Sequence, residues 1–166
     1  QLLNRLVREK RLVPVTRPGA DPVKSTNKDA ASSANTVTYH DPCYLGRHNH
    51  VYTPPRELLG SLPGVTLKEM PRHGERSFCC GAGGARMWME EKLGERININ
   101  RTNEALGTGA QRIAIGCPFC RVMLSDGLTA RQSEGYFEQV EVVDIAQMLL
   151  AAVRPGPEAQ PAQIDV

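Results

Sequence analysis

Two spacings of hydrophobic residues alternate along the chain and predict strands and helices in turn. Short apolar or β-branched runs, which are typical of strands, lie at residues 37–39, 65–70, 112–116 and 141–143. Between and after these runs, apolar residues spaced three or four apart indicate helices. A repeated order of strand and helix is typical of a parallel sheet covered by helices. The predicted fold class is therefore α/β, with a small parallel sheet of about four strands flanked by helices.

The ends of three predicted helices carry recognisable signals. Thr53 is predicted to cap a helix that Pro54 opens, and Asp144 is predicted to cap the last helix of the chain. The segment after Gly81 is predicted to form one long helix that ends at Leu106. Three apolar residues of that segment fall four apart on one face, namely Met89, Leu93 and Ile97.

Length and composition predict one folded domain with irregular segments at both ends. The chain has 166 residues, of which 40% are hydrophobic, enough for one ordinary core. Residues 1–35 are predicted to be a short helix and a flexible linker, because most of this segment is polar or rich in Gly, Pro and Ser. Residues 36–153 are predicted to be the domain, and residues 154–166 a disordered tail.

Charge and hydropathy exclude two classes of function. The twenty Lys and Arg residues are interspersed with eighteen Asp and Glu residues, and the net charge is only +2, so no nucleic-acid partner is expected. The longest apolar run, residues 142–153, is shorter than the roughly 20 residues that span a bilayer. The chain begins with Gln rather than Met, and we expect it to be a piece of a longer polypeptide.

Five cysteines form the most informative pattern of the sequence. Cys43 is followed after 35 residues by the doublet Cys79 and Cys80, and after 36 more by the pair Cys117 and Cys120. Thiols that come together from three separate segments usually hold a metal centre. An odd cysteine count with an adjacent pair argues against a secreted disulfide scaffold and favours a reducing, cytoplasmic setting.

The predicted fold places two of these segments at one edge of the sheet. Ligands of open α/β sheets bind in the crevice at the carboxyl ends of the strands, where Cys43 and Cys117 are both expected. Cys117 and Cys120 also stand at the start of a predicted helix, whose free N–H groups stabilise negative sulfur. The sequence therefore predicts a metal site at the carboxyl edge of the sheet.

Several interpretations of the cysteines remain open at this point. A lone cysteine is most often a small buried hydrophobe. The pair around Pro118 and Phe119 resembles the dithiol of thiol–disulfide exchangers, but that interpretation leaves three cysteines unused. Zinc takes four tetrahedral ligands and leaves the fifth spare. An iron–sulfur centre with several irons offers a separate iron to each member of the Cys79 and Cys80 doublet, and we favour it.

Further residues near the cysteines are candidates for contact with such a centre. Gly81, Gly83 and Gly84 are predicted to form a cradle of close backbone and N–H donors, the alternative being a plain flexible turn. His40 lies three residues before Cys43, from where it could donate to sulfur. Three other side chains are weighed against ordinary structural roles. Arg47 and Arg86 are candidate cationic neighbours or surface salt bridges, and Trp88 is predicted to be core packing or an interface anchor.

The cysteine motifs resemble the CCG, or cysteine-rich, domain of heterodisulfide reductases and their relatives, over about residues 36–153. Those relatives include iron–sulfur subunits of anaerobic glycerol-3-phosphate dehydrogenase, glycolate oxidase and lactate utilisation, which are flavin-linked electron carriers. The resemblance implies a non-cubane [4Fe-4S] cluster, although some sites of this family have been assigned Zn²⁺. The implied metal ligands are Cys43, Cys79, Cys80, Cys117 and Cys120.

Residues 40–47, 77–86 and 86–91 more narrowly resemble the C-terminal CCG domain of large membrane-bound iron–sulfur reductases. This resemblance implies a parent chain with a second CCG domain, a ferredoxin-type domain and a membrane part, located at the cytoplasmic face of the membrane. It implies electron-transfer flavoprotein as donor and menaquinone as acceptor. This chain carries a single CCG motif, so we expect it to be inactive alone. The competing hypothesis is a zinc-stabilised interaction module that docks a flavoprotein partner.

Overall fold

The structure is a computed structural model that describes residues 1–15, 35–91 and 93–153. Most of the predicted linker and the whole of the predicted tail, residues 154–166, lie outside the described residues. The described part contains five α-helices and four β-strands. In chain order they are α1 (Leu2–Arg8), β1 (Thr36–Tyr39), α2 (Thr53–Gly60), β2 (Thr66–Leu67), α3 (Ile97–Leu106), β3 (Arg112–Ile115), α4 (Pro118–Ser133), β4 (Glu141–Asp144) and α5 (Ile145–Ala152).

The four strands form one parallel sheet in the order β2-β1-β3-β4. Val37 of β1 pairs with Leu67 of β2 on one side and with Arg112 of β3 on the other. Helices α4 and α5 follow β3 and β4 closely, α2 follows β1 after a longer connection, and α3 precedes β3. The α/β prediction, with a four-stranded parallel sheet flanked by helices, is confirmed. No helix within the described ranges is both long and apolar enough to cross a bilayer.

Successive strand residues point to opposite faces, and each face has its own core. Val37, Tyr39 and Ala114 belong to one cluster, in which they pack with buried residues of α2 and α5. Ile113 and Ile115 belong to a second cluster, formed with buried residues of α3 and α4. The sheet is therefore covered on both sides, as parallel sheets usually are.

Of the two predicted helix caps, one is confirmed and the other is wrong. Asp144 caps α5, because its Oδ1 accepts a hydrogen bond from the N–H of Ala146 at 2.8 Å. The prediction for Thr53 is wrong, since the residue that precedes the first turn of α2 is Tyr52, and Thr53 is already helical. The hydroxyl of Thr53 therefore has no capping role.

The prediction of one long helix after Gly81 is also wrong. The helix α3 begins only at Ile97, although its end at Leu106 is as predicted. The intervening segment contains a single 3₁₀ turn at Arg86–Trp88, and Met89 and Leu93 are 60% and 86% exposed instead of sharing a buried face. Three glycines of this segment adopt positive φ, which a right-handed helix excludes. They are Gly81 at 92°, Gly84 at 63° and Gly94 at 76°.

Candidate metal centre

The cysteine segments start from the two central strands of the sheet. Cys43 follows β1 and Cys117 follows β3, and these strands are neighbours even though β2 lies between them in the sequence. The chain leaves β1 toward one edge of the sheet and later returns to its other side. Such a reversal of strand order opens a crevice at the carboxyl ends, which is the usual ligand site of open α/β sheets.

A cavity of about 650 Å³ occupies this position, and all five cysteines line it. The doublet Cys79 and Cys80 reaches the cavity from the loop between β2 and α3. The remaining lining is mostly apolar and comes from the same three segments. It comprises Pro42, Tyr44, Leu45, Ala82, Gly83, Ala85, Met87, Trp88, Gly116, Pro118 and Phe119.

The cavity has a buried floor and an exposed rim. Cys120 and Cys80 are 2% and 5% exposed, Cys79 and Cys117 are half-buried, and Cys43 is exposed. All five are free thiols. Aromatic side chains stand at the opening, namely Tyr44, Trp88 and Phe119. Trp88 is 81% exposed, so core packing is excluded for it, while the role of an interface anchor stays a prediction.

Three of the thiols form a hydrogen-bonded row. Cys79 donates to Cys80, and Cys80 donates to Cys120. The bond to Cys120, together with burial, raises the pKa of Cys80 to about 12. The bond to Cys80 and then burial also raise the pKa of Cys79. These thiols therefore hold their protons at neutral pH in the metal-free chain, and a metal that binds them must displace those protons.

The turn after the doublet supplies backbone donors to the sulfur atoms. The N–H of Gly81 donates to Cys79 Sγ at 3.2 Å, and the N–H of Gly83 is directed at the same thiol. The N–H of Ala82 is directed at Cys80. These donors favour negative charge on sulfur, since they partly offset the effects that raise the two thiol pKa values.

Glycine is required at two positions of this turn. Gly81 has φ of 92°, and a Cβ added there would lie 3.1 Å from Ile97 Cβ and 3.3 Å from the Asn98 nitrogen. Gly84 has φ of 63° in open space. Gly83 is neither strained nor crowded. The predicted cradle thus has two distinct parts. Gly81 packs closely against Ile97 and Asn98, and the N–H groups after it are freely placed.

His40 is buried beside the two most buried cysteines of the cavity, Cys80 and Cys120. One of its ring nitrogens and the Sγ atoms of Cys80 and Cys120 all lie within 4.8 Å of one another. His40 Nδ1 accepts a hydrogen bond from Arg101 Nε at 3.0 Å. Burial and then the Arg101 charge lower the pKa of His40 to about 3, so the imidazole is neutral. The structure therefore places His40 beside the thiols, while its predicted contact with a metal centre stays a prediction.

The buried arginine that holds His40 was missed by the sequence analysis. Arg101 is fully buried on α3, and its Nη1 donates to Glu104 Oε2 at 2.9 Å and to the Arg72 main-chain oxygen at 2.8 Å. Arg72 in turn lies over the ring of Phe78, with 3.9 Å from Cζ to the centroid. The sequence gives no signal for this network, because a charged residue in a helix is normally exposed.

A second buried ion pair anchors the residue after His40. Asp41 accepts from Arg56 Nη1 and Nη2 at 2.8 and 2.9 Å, and from the N–H of Gly74 at 2.8 Å. Burial alone would raise the pKa of Asp41, but these bonds hold the pKa below its ordinary value. Arg56 also donates to Glu69, so the end of β1 is tied to α2 and to the loop after β2.

The two arginines predicted near the cysteines have different partners. Arg47 Nη2 donates to the main-chain oxygen of Ser77 at 2.6 Å. Arg86 forms an ion pair with Glu91 and lines a neighbouring smaller cavity rather than the cysteine cavity. The salt bridge that the sequence analysis weighed for both residues is thus present for Arg86, whereas Arg47 links two cysteine segments.

The donor set suits a thiophilic metal. Five free thiols line one cavity, and backbone N–H groups point at two of them. Thiolate donors select Zn²⁺ and iron–sulfur clusters over hard cations. A dithiol exchanger would use Cys117 and Cys120 alone, whereas this cavity brings the other three cysteines to the same place.

Comparison with protein families gives one match to this part of the chain. The family model described as "CCG: Cysteine-rich domain" matches residues 37–125, which is more than half of the chain and contains all five cysteines. No solved structure matches the chain.

Curated proteins similar to this chain include three oxidoreductases or reductases. "Probable iron-sulfur-binding oxidoreductase FadF" of Bacillus subtilis is 51% identical over 71% of this chain, and "EtfAB:quinone oxidoreductase" of Syntrophomonas wolfei is 42% identical over 70%. One component of the dihydromethanophenazine:CoB--CoM heterodisulfide reductase of Methanosarcina barkeri is 41% identical over 71%. The matches span only 16%, 17% and 28% of these relatives' own lengths.

Proposed function

The chain belongs to the CCG cysteine-rich domain family, and on that premise we propose that it is the electron-transfer module of a larger iron–sulfur oxidoreductase. Iron–sulfur oxidoreductases are among the relatives that match it. The observation that carries the proposal is the convergence of all five free cysteines on one cavity at the carboxyl edge of the sheet.

We assign a [4Fe-4S] cluster, of the non-cubane type that the family resemblance implies, to this cavity. Its proposed ligands are Cys43, Cys79, Cys80, Cys117 and Cys120. The adjacency of Cys79 and Cys80 supports a centre with several metal ions, because two neighbouring thiols strain the shell of a single tetrahedral ion. When bound, such a cluster takes up and releases single electrons.

The surrounding residues would hold the sulfur atoms and balance their charge. Backbone N–H groups at Gly81 and Gly83 support negative sulfur, and Gly84 provides a turn with positive φ. His40 is the proposed side-chain donor at the floor. Arg47 is proposed to act by fixing the loop before Cys79. For Arg86, the pairing with Glu91 supports a surface ion pair better than a contact with the cluster.

In the parent protein, electrons would pass between a flavoprotein and a quinone or disulfide. We propose electron-transfer flavoprotein as donor and menaquinone as acceptor, with a second CCG domain, a ferredoxin-type domain and a membrane part supplied by the rest of the parent. The name of the Syntrophomonas wolfei relative supports this pair of reactants. Such a parent would act at the cytoplasmic face of the membrane, and the present chain would be inactive alone.

The exposed rim supports docking of a partner over the cavity. Tyr44, Trp88 and Phe119 are all more exposed than buried, and they surround the entrance beside the exposed Cys43. Aromatic side chains of this kind are common anchors of protein interfaces. A partner seated on this rim would approach the cavity without any rearrangement of the core.

A zinc-stabilised interaction module is the second candidate, and one observation favours it. His40, Cys80 and Cys120 form a compact buried group of a size that one ion could bridge. Zinc sites with three sulfur ligands and one histidine are common. In this alternative the chain would dock a flavoprotein without carrying electrons.

Anaerobic reconstitution with iron and sulfide tests the proposal. We expect about four irons and about four sulfides per chain, with absorption in the visible range, from the stoichiometry of a [4Fe-4S] cluster. Reconstitution of a Cys43→Ser, Cys117→Ser double variant is the matched control, and it should bind much less iron. One zinc per chain without inorganic sulfide would support the interaction module instead.

A further inference from the structure

Arg101 determines which nitrogen of His40 carries the proton. Its Nε donates to His40 Nδ1 at 3.0 Å, and both side chains are buried. A guanidinium offers only donors, so the Nδ1 atom in this bond has a lone pair and no hydrogen. With Nδ1 occupied as the acceptor, the imidazole carries its proton on Nε2.

The remaining contacts of Arg101 keep it in this orientation. Its Nη1 is bound by Glu104 and by the Arg72 main chain, and Glu104 also accepts from the Arg72 N–H at 2.6 Å. Within the described part of the chain, Arg101 Nη2 is buried with no hydrogen-bond partner. An incompletely satisfied buried cation costs free energy that an apolar side chain would avoid, which argues for a role beyond stability.

Nε2 is the nitrogen of His40 that Arg101 leaves free, and the ring lies beside two thiols. A ring nitrogen of His40 and the Sγ atoms of Cys80 and Cys120 lie within 4.8 Å of one another, while Nδ1 is already occupied by Arg101. A protonated Nε2 donates to sulfur and has no lone pair for a metal ion. This protonation suits His40 to donate to the sulfur atoms beside it rather than to bind a metal ion.

We propose that Arg101 is a positioning residue of the metal centre, which fixes His40 as an Nε2–H donor to the sulfur of Cys80 or Cys120. The role toward a bound cluster rests on the proposed function, whereas the tautomer of His40 does not. Hydrogen bonds to ligand sulfur stabilise the more negative, reduced state and raise the reduction potential of iron–sulfur centres. Loss of Arg101 is therefore expected to shift that potential to more negative values.

Nitrogen-15 NMR of the full chain, reduced and free of metal, tests the tautomer directly. The chain has four histidines, and a His40→Gln variant assigns the relevant signals. We expect a protonated Nε2, an unprotonated Nδ1 and a scalar coupling between Arg101 Nε and His40 Nδ1 across their hydrogen bond. A protonated Nδ1, or the absence of this coupling, overturns the proposal.

Two variants separate Arg101 from the rest of its network. Arg101→Met removes the donor, and we expect His40 to populate both tautomers. Glu104→Gln keeps the Arg101 Nε donor and should preserve the wild-type tautomer. An Arg101→Met chain with the wild-type tautomer contradicts the role of Arg101. If this variant does not fold, the coupling measured in the wild-type chain decides the question.

Loading the same labelled chain with Zn²⁺, as a diamagnetic probe, tests whether His40 itself binds metal. The proposal predicts that the Nε2 proton of His40 persists in the loaded chain. Its loss on zinc binding would identify His40 as a ligand and overturn the proposal. A chain that binds neither Zn²⁺ nor iron contradicts the proposed function, but it leaves the tautomer result intact, so the two failures are distinguishable.

Discussion

Arg47 donates from its Nη2 to the main-chain oxygen of Ser77 at 2.6 Å, and this bond joins two of the three cysteine segments. Arg47 follows Cys43 within the π-helical turn Tyr44–His48, and Ser77 is a buried residue two positions before Cys79. The bond is made to a backbone oxygen, so it fixes the path of the backbone that leads to Cys79. The spacing between the first and second cysteine segments depends on it.

Replacement of Arg47 by Met should therefore weaken metal binding. We expect the affinity for Zn²⁺ to fall by about 10- to 100-fold, the usual effect of removing a group that orients metal ligands. Hydrogen exchange of the amides at residues 77–84 should accelerate. Arg86→Met is the matched control, because Arg86 pairs with Glu91 outside the cavity and should leave both measurements nearly unchanged. Equal effects of the two substitutions would contradict this role of Arg47.

The glycines after the doublet should respond differently to a methyl group. Gly81→Ala places a Cβ at 3.1 Å from Ile97 Cβ in a backbone with φ of 92°, and we expect a loss of about 1–3 kcal/mol in the free energy of unfolding. Gly83→Ala meets open space without backbone strain, and its effect should stay within about 0.5 kcal/mol. Urea unfolding of the reduced, metal-free chain measures both values. A Gly83 effect as large as that of Gly81 would refute the explanation.

Serine replacements of the doublet separate an iron–sulfur cluster from a zinc ion. If Cys79 and Cys80 bind different irons, each of Cys79→Ser and Cys80→Ser should alter or abolish the visible spectrum and stop quinone reduction by the parent enzyme. If the metal is zinc, one of the two thiols is spare, and at least one variant should keep its full metal content and stability. Bound metal, visible absorbance and turnover distinguish the outcomes. A Cys80→Ser protein with unaltered spectrum and turnover would exclude the five-ligand assignment.

The stability of the metal-free chain should fall as the pH rises above about 9. The pKa of the Cys80 thiol is raised from 9.0 to about 12, so the folded state retains a proton that the unfolded state loses between these values. The free energy of unfolding due to this thiol is fully present below pH 9 and declines as the pH approaches 12. Urea unfolding at a series of pH values measures the decline.

Controls for this pH dependence come from the same cavity. Tyr39 is buried, and burial raises its pKa too, so part of the alkaline decline belongs to it. Cys80→Ser should give a shallower decline than the wild-type chain, since serine does not ionise in this range. Cys43→Ser, which removes an exposed thiol, is the control for a cysteine-to-serine substitution as such. Identical pH profiles for the wild type and Cys80→Ser would contradict the assignment to this thiol.

Much of the fold could be predicted because strand and cysteine signals coincide in the sequence. The apolar run before Cys117 is a strand of the central pair, and the helix that Pro118 opens follows it, as predicted. The four strands were predicted from their β-prone composition, and their parallel arrangement from the alternation of strands and helices. Cys43 and Cys117 were expected to line one crevice, because the carboxyl ends of parallel strands lie at the same edge of the sheet.

The wrong predictions have physical causes that the spacing of hydrophobic residues does not reveal. A helical spacing of Met89, Leu93 and Ile97 was misleading, because positive φ at the nearby glycines outweighs any hydrophobic pattern. Arg101 was overlooked because a charged residue in a helix is normally exposed, and only the tertiary contacts to His40 and Glu104 reveal its burial. Side-chain networks of this kind connect residues that are distant in sequence.

The strand order also determines at which stage of folding the metal site can form. Val37 pairs with Arg112, and the whole segment that contains β2 and the cysteine doublet lies between them in the chain. Such a distant pairing closes a long loop, so it forms late and slowly during folding. Until then the three cysteine segments belong to separate parts of an open chain. The metal centre is therefore expected to be inserted after folding, into a scaffold that the two cores have already built.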